Sequence, residues 1–344
     1  MQPAKWLCVF VPVTAICLVL PANAQKKGSS VASDCASSGL RSAPAPLFCD
    51  PIYDGAADPT IIWNREAREW WIFYTARRAN VPGEPGVRWA HGTDIGIAAS
   101  KDGCEWAYKG TAQGLGVESG RNTFWAPEVI QDGGFYHMFV SYVPGVHEDW
   151  SGERFIVHYT SRDLLNWHFE ARLALSSSHV IDACVYRLPG GPWRMWYKDE
   201  AHDCHIYAAD SPDLYQWTVA GPVITDRASE GPNVFRLGGV YWMLTDSMGL
   251  NLFKSADLTN WEYVGPFMQK PGTRKDDGFV AQHPDLWVQG DEAFIFYFVH
   301  PFGKKHVEPG KHRSVVQVAR LLVANGRLVA ERDTPFAYAL RPPE

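Results

Sequence analysis

The sequence predicts an all-β chain folded as a five-bladed β-propeller. Three features point there: a turn motif present four times, aromatic strands recurring at the same spacing, and no comparable stretch with a 3.6-residue apolar period. The turn is Ser-x-Asp-x-x-x-Trp, found as "SKDGCEW" (100–106), "SRDLLNW" (161–167), "SPDLYQW" (211–217) and "SADLTNW" (255–261). Ser and Asp side chains cap nearby backbone N–H groups and so build turns, and the Trp begins the next strand. One such match arises easily by chance; four in one chain do not.

An aromatic strand precedes each of these turns: "EWWIFYTA", "GFYHMFVSYV", "PWRMWYKDE" and "VYWMLTDS", with a fifth, "EAFIFYFVH", near the end. Gly-containing turns such as "QDGG", "LPGG" and "RLGG" precede several of them, which is hairpin chemistry. Five repeats of roughly 45–70 residues, each worth about four strands, read as propeller blades. The last blade lacks the motif and ends in "SVVQVARLLVANGRLVAERD", a closing hairpin. A sandwich or a solenoid is the competing architecture, but evenly aromatic repeats close radially rather than stack.

The ends of the chain divide it further. Residues 1–24 hold one Lys, the apolar run "WLCVFVPVTAICLVL" and the small-residue pattern "ANA", the signature of a cleaved signal peptide. The expected domains are therefore a signal over 1–24, a Ser-rich linker or arm over 25–49, and a catalytic propeller over 50–344. A secreted or periplasmic location follows. Beyond the signal no run approaches the twenty apolar residues of a membrane span. The formal charge of −6, spread without long runs, gives no reason to expect nucleic acid or a membrane as partner. Oligomeric state is left open. Cys35, Cys49, Cys104, Cys184 and Cys204 remain after the signal, and a Cys35–Cys49 bridge is the first pairing to test in an oxidising compartment. No Cys or His spacing suggests zinc.

In a propeller the first strand of each blade lines the central channel, so its beginning points at a shared pocket. Those beginnings are "DPTIIW" (58–63), "APEVIQ" (126–131), "DACVYR" (182–187), "EGPNVF" (230–235) and "HPDLWV" (283–288). Each opens on or near an ionisable group: Asp58, Glu128, Asp182, Glu230 and His283, read here as one register. Taken singly, Asp58 before Pro59 is a turn former, Glu128 a salt-bridge partner, Glu230 a loop charge and His283 a core histidine. Around one channel, Asp58, Asp182 and Glu230 become a catalytic candidate. Three acids in one pocket are stable only if their protonation states are pushed apart. Glycoside cleavage uses that outcome, with one carboxylate ionised to activate water and another protonated to serve the leaving oxygen. No phosphate-binding Gly loop or Ser nucleophile elbow competes with this reading.

Over roughly residues 50–335 the chain resembles the five-bladed propeller glycosidases of glycoside hydrolase family 43. The resemblance implies that Asp58 of "ADPTII" is the general base, that Asp182 of "VIDACV" tunes the acid and orients substrate, and that Glu230 of "SEGP" is the general acid. The motif "WAPEV" matches the family's Trp-Ala-Pro-acid, with Glu128 where Asp is more usual. His283 matches a central His often near a calcium ion or water, which implies a possible structural Ca2+ reached through water and no required cofactor. The Trp-x-Asn-Asp-Pro-Asn, Arg-Asp-Pro and Glu-Cys motifs of the related retaining β-fructosidases are absent. The last blade, "HPDLWVQGDEAFIFYFVHP", is also similar to family 117 anhydrogalactosidases, in which a His serves as acid and makes His283 the rival of Glu230.

The expectation is thus a secreted inverting glycosidase of plant or algal polysaccharide, acting on an α-L-arabinofuranosyl or β-D-xylosyl bond. Its partner is a carbohydrate. Trp125, Phe124 and Trp89 are the candidate sugar-stacking aromatics. Arg121 in "GRNTFWAPEV" is a candidate for a sugar hydroxyl or carboxylate. A non-catalytic carbohydrate-binding propeller is the alternative class.

Overall fold

A computed structural model describes residues 40–303 and 312–343. The expected signal over 1–24, residues 25–39 of the expected arm, and Cys35 with its bridge to Cys49 lie outside those residues. A two-residue strand, β1 (Arg41–Ser42), precedes the first blade. Blade one is β2 (Ala56–Asn64), β3 (Glu69–Ala76), β4 (Asp94–Ser100) and β5 (Ala107–Thr111). Blade two is β6 (Thr123–Asp132), β7 (Phe135–Val143), β8 (Phe155–Ser161) and β9 (His168–Arg172). Blade three is β10 (Val180–Arg187), β11 (Trp193–Asp199), β12 (His205–Ser211) and β13 (Thr218–Ile224). Blade four is β14 (Glu230–Leu237), β15 (Val240–Asp246), β16 (Leu250–Ser255) and β17 (Glu262–Phe267). Blade five is β18 (Gln282–Gln289), β19 (Glu292–Val299), β20 (Val315–Ala324) and β21 (Arg327–Glu331), followed by β22 (Ala337–Tyr338).

Each blade is a four-stranded antiparallel sheet whose strands are ordered as in the sequence. Among the described residues there is no α-helix, only a 3-10 turn at Arg88–Ala90. The second strand of a blade is covered on both faces, which is why "WWIFYTA" and "AFIFYFV" are continuous apolar runs rather than alternating ones. Outer strands such as β9, "HFEAR", are short and largely exposed. The core is divided into five main clusters, one between each pair of neighbouring blades. Trp71 and Phe73 meet Met138 and Tyr159 between blades one and two, and Phe294 and Phe296 meet Ile72 and Tyr74 between blades five and one. That last interface closes the ring. It is reinforced by β1 pairing with β22 and by a bridge between Phe48 and Val316. Residues 41–48 are thus part of the propeller's packing.

The repeated turn has the geometry its side chains dictate. Ser161 Oγ accepts from Leu164 N, and Asp163 Oδ1 accepts from Leu165 N and Asn166 N. The same three bonds recur at Ser100/Asp102, Ser211/Asp213 and Ser255/Asp257. The residue after Asp lies in the left-handed region each time: Gly103 at φ 78°, Leu164 at 65°, Leu214 at 72° and Leu258 at 63°. A Leu there is sterically strained, but Leu164, Leu214 and Leu258 are fully buried, and that burial offsets the strain.

The inner strands carry a second repeated irregularity, and it positions the site. In every blade the pairing register slips near the start of the inner strand: between Ala57 and Thr60, Trp125 and Glu128, Ile181 and Cys184, Glu230 and Asn233, and Gln282 and Asp285. Each slip is a β-bulge that opens on a left-handed residue: Asp58 (φ 50°), Ala126 (45°), Asp182 (62°), Gly231 (53°) and His283 (35°). The next residue is Pro59, Pro127, Ala183, Pro232 and Pro284. Proline is tolerated there because a bulge leaves one N–H without a ladder partner. This corrects the single register expected from sequence. Asp58, Asp182 and His283 do share a position, but Glu230 stands one residue before it and Glu128 two residues after it.

Candidate active site

A β-bulge bends its strand and re-aims the side chains beside it. Here five bulges surround the channel mouth, where a cavity of about 610 Å³ opens, lined by Asp58, Asp182, Glu230 and His283 among others. The connections between the second and third strands rise around that mouth unequally. Residues 77–93 of blade one and 144–154 of blade two are long, whereas 200–204 of blade three and 247–249 of blade four are short. The two long connections are latched: Val87 N donates to Glu148 O at 3.0 Å. Gly86, at φ 56°, is required there, since a Cβ would lie 1.9 Å from Glu148 O.

Asp58 is only 4% exposed. Arg77, immediately after β3, donates from Nη2 to both of its carboxylate oxygens at 3.0 Å. His283 Nδ1 lies 3.7 Å from Asp58 Oδ1. Burial alone pushes the Asp58 carboxyl up; Arg77 and His283, with hydrogen bonds from Thr75 and Arg77, outweigh it and hold it below its ordinary value. Asp58 is a buried carboxylate kept ionised.

Asp182 has the opposite electrostatics. Its own N–H donates to Ser141 Oγ at 2.9 Å, and its Oδ2 accepts from Gly231 N at 3.1 Å. Burial pushes its carboxyl up, His283 pulls it back and the nearby Glu230 pushes it up again, which leaves it at about 6. Glu230 retains 37% of its side-chain exposure and accepts from Lys198 Nζ at 2.9 Å. Lys198, on β11, is 7% exposed and also binds Glu200 Oε1 at 2.9 Å. Arg154 Nη1 binds the second oxygen of Glu200 at 2.8 Å. Burial lowers the Lys198 ammonium, but Glu230, Glu200 and Asp182 more than reverse that, so it stays charged.

The other expected residues divide. Trp125 and Trp89 both line the cavity. Trp125 is fixed by a bond from Nε1 to Ala90 O at 2.6 Å, and Trp89 stacks on His312 with centroids 4.3 Å apart. Phe124, Arg121 and Glu128 are not brought to the cavity. Phe124 is packed in the core between blades one and two, 5.3 Å from the Tyr142 ring. Arg121 is spent on Gly92 O and an ion pair with Asp94 at 2.9 Å. Glu128 stands two residues beyond the bulge's first residue and does not line the cavity. It accepts from Val185 N at 2.8 Å, and burial followed by the charge of Asp285 pushes its carboxyl far up.

The expected calcium ion is one that His283 would reach through water. Among the described residues no three His, Cys, Asp or Glu side chains converge to hold a metal ion. The anion beside His283 is Asp58, and Arg77 already neutralises it. These residues do not fit a calcium ion held by protein side chains. Among the described residues Cys49, Cys104, Cys184 and Cys204 form no disulfide with one another, and no helix is long and apolar enough to cross a membrane.

Sequence reading missed Arg77, Lys198, Glu200, Arg154 and Trp150, all of which line the cavity. A signal existed for two of them. In "YTAR" and "WYKD" a cation follows the aromatic run of the second strand, at the end that pairs with the start of the inner strand. Trp150, 55% exposed in a long connection, carried no such mark.

A five-bladed propeller with carboxylates converging on its channel mouth defines a carbohydrate-active hydrolase of the glycosidase propeller type. The chain belongs to the glycosyl hydrolases family 43, whose profile matches residues 50–247, more than half of it. The sequence is 26% identical over 237 residues to a probable sucrose-6-phosphate hydrolase of Psychromonas ingrahamii, covering 60% of this chain and 41% of that protein. The chain spans about two fifths of the length of the curated relatives it matches. In fold it is similar to a thermostable family-43 glycoside hydrolase (TM-score 0.61, 20% identity, 83% of this chain and 97% of that one). A β-xylosidase/α-arabinofuranosidase from a compost microbial metagenome is similar to the same degree (TM-score 0.61, 15% identity, 84% and 98%).

Proposed function

We propose that the protein is an inverting glycosidase that removes α-L-arabinofuranosyl or β-D-xylosyl residues from plant or algal saccharides. The observation that carries this reading is the electrostatic contrast on the cavity wall: Asp58 is held ionised by Arg77, while burial raises Asp182 to about 6 beside Glu230. Asp58 takes a proton from the water as its oxygen bonds to the anomeric carbon and the bond from that carbon to the leaving oxygen breaks. Glu230, more exposed than the other two, protonates the leaving oxygen. Asp182 adds negative charge near Glu230 and favours its protonated form. The chemistry needs no organic cofactor. His283 is the rival acid, but its Nδ1 faces Asp58, which puts it beside the base rather than opposite it.

The test is a screen of 4-nitrophenyl α-L-arabinofuranoside and β-D-xylopyranoside, with NMR of the first-formed anomer. Inversion at the anomeric carbon supports the reading; retention, or no turnover of any glycoside, removes it. Glu230→Gln should cost about 10²–10⁴-fold on disaccharides and far less on nitrophenyl substrates. Export after cleavage near residue 24 belongs to the same reading, and N-terminal sequencing of the exported protein tests it.

A further inference from the structure

We propose that Lys198 and Glu200 form a positioning pair that sets the protonation of Glu230, with Lys198 opposing proton uptake and Glu200 permitting it. The inference rests on Glu230 being the general acid. An ammonium 2.9 Å from Glu230 Oε2 stabilises the ionised carboxylate, the wrong state for a proton donor. A lone Lys198–Glu230 pair would therefore oppose catalysis. It is not alone, because Lys198 Nζ reaches Glu200 Oε1 at the same 2.9 Å, and Glu200 is anchored by Arg154. When Glu230 takes up a proton, Lys198 keeps one anionic partner. No buried cation is stranded, which is what makes breaking a buried ion pair costly.

Among the described residues, further charged and titratable groups near Glu230 come from several packed elements. Asp182 on β10 is a further anion that acts on it, and Asp246 on β15 is its cross-strand partner. His283 on neighbouring blade five packs against Gly231, with Asp58 beside its ring, and the Cys204 thiol closes the 200–204 connection. None of these links Lys198 to a second carboxylate within hydrogen-bonding distance; Glu200 does.

Opposite charges on two residues that share one ion pair give opposite signs, and mere structural damage would not. The measurement is the kcat/KM–pH profile on arabinobiose and xylobiose, substrates whose poor leaving groups require the acid. Activity is lost on the alkaline side as the acid ionises. Lys198→Met should move that limb up by about one pH unit, and Glu200→Gln should move it down by a similar amount. Lys198→Arg, which keeps the charge, should leave the limb where wild type has it. Limbs that stay put, or that move in the same direction in Lys198→Met and Glu200→Gln, overturn the inference. Should Lys198→Met fail to fold, Glu200→Gln with an upward or unmoved limb overturns it alone. Glu230→Gln separates the two levels. If it hydrolyses both disaccharides at the wild-type rate, the acid assignment falls and takes this inference with it. If it is inactive while the limbs fail to split, only the inference falls.

Discussion

The Gly231 amide donates to Asp182 Oδ2 at 3.1 Å, so the carboxylate of blade three is fastened to the residue that directly follows Glu230. The bond spans two blades and uses two left-handed residues, Asp182 and Gly231, from equivalent bulges. A shift in either inner strand would separate Asp182 from the group it acts on. Gly231 has a second reason to be glycine: a Cβ there would lie 2.8 Å from His283 Nδ1.

Asp182 should weaken the fold at neutral pH. Its folded value of about 6 exceeds the 3.8 of an ordinary Asp, so the folded state binds its proton more tightly than the unfolded chain does. The stability this gives is complete below about pH 4 and is lost as pH rises through 6. Asp182→Asn should therefore raise the melting free energy at pH 8 by on the order of 1–3 kcal/mol and change it little at pH 4, while activity collapses. Calorimetry at the two pH values checks this; equal effects at both would contradict it.

Arg77 should define the acid side of the activity profile. It outweighs the burial of Asp58, so the base stays ionised to below the usual carboxylate range. Arg77→Met leaves burial with less opposition. The acid limb of kcat/KM should then move to higher pH, and the loss should be larger at pH 5 than at pH 7. A uniform loss at all pH values would assign Arg77 to packing alone.

Trp150 should hold the leaving-group sugar. It lines the cavity at 55% exposure, with its ring centroid 6.1 Å from Trp125 and 5.8 Å from His91. Trp150→Ala should raise KM for disaccharides about 3–10-fold, the effect of losing one stacking contact, and leave the methyl glycoside of the same sugar unchanged. Equal losses on both would place Trp150 at the cleaved sugar instead.

Asp277 and Arg332 supply a test of the ring's stability, independent of the site. Arg332 Nη2 donates to Asp277 Oδ1 at 2.6 Å and to Phe279 O at 2.6 Å, and Asp277 is fully buried. Asp277→Ala strands the guanidinium and should cost about 3–5 kcal/mol in thermal or urea unfolding. Asp277→Asn should cost less, because Asn still accepts. Equal costs would show that the charge, and not the accepting oxygen, is what matters.

The blades were legible because their signals are local: a Ser and an Asp capping the same three amides, and apolar runs in strands covered on both faces. Asp58 and Asp182 were legible as members of one register because each is the first residue of its bulge. Glu230 and Glu128 were misplaced within that register by one and two residues. A bulge inserts a residue without changing composition, so counting from the first charge failed where counting from the prolines of "DPT", "APE", "GPN" and "HPD" succeeds. Phe124 and Arg121 failed for a different reason. They adjoin Trp125 in sequence, but strand alternation and the curl of residues 118–122 send them to the core and to Asp94.

Every blade is one unbroken stretch of chain, and the first and last are joined only by contacts, among them the pairing of Arg41 with Tyr338. The ring therefore has no obligatory starting point. A gene recut in the crossing at 225–229, with the segments near residues 41 and 338 fused by a short linker, would keep all five sheets whole and merely read them out in rotated order. Blades one, three and four would still deliver Asp58, Asp182 and Glu230 to the same mouth. In this architecture the pocket belongs to the circle, whichever blade the chain enters first.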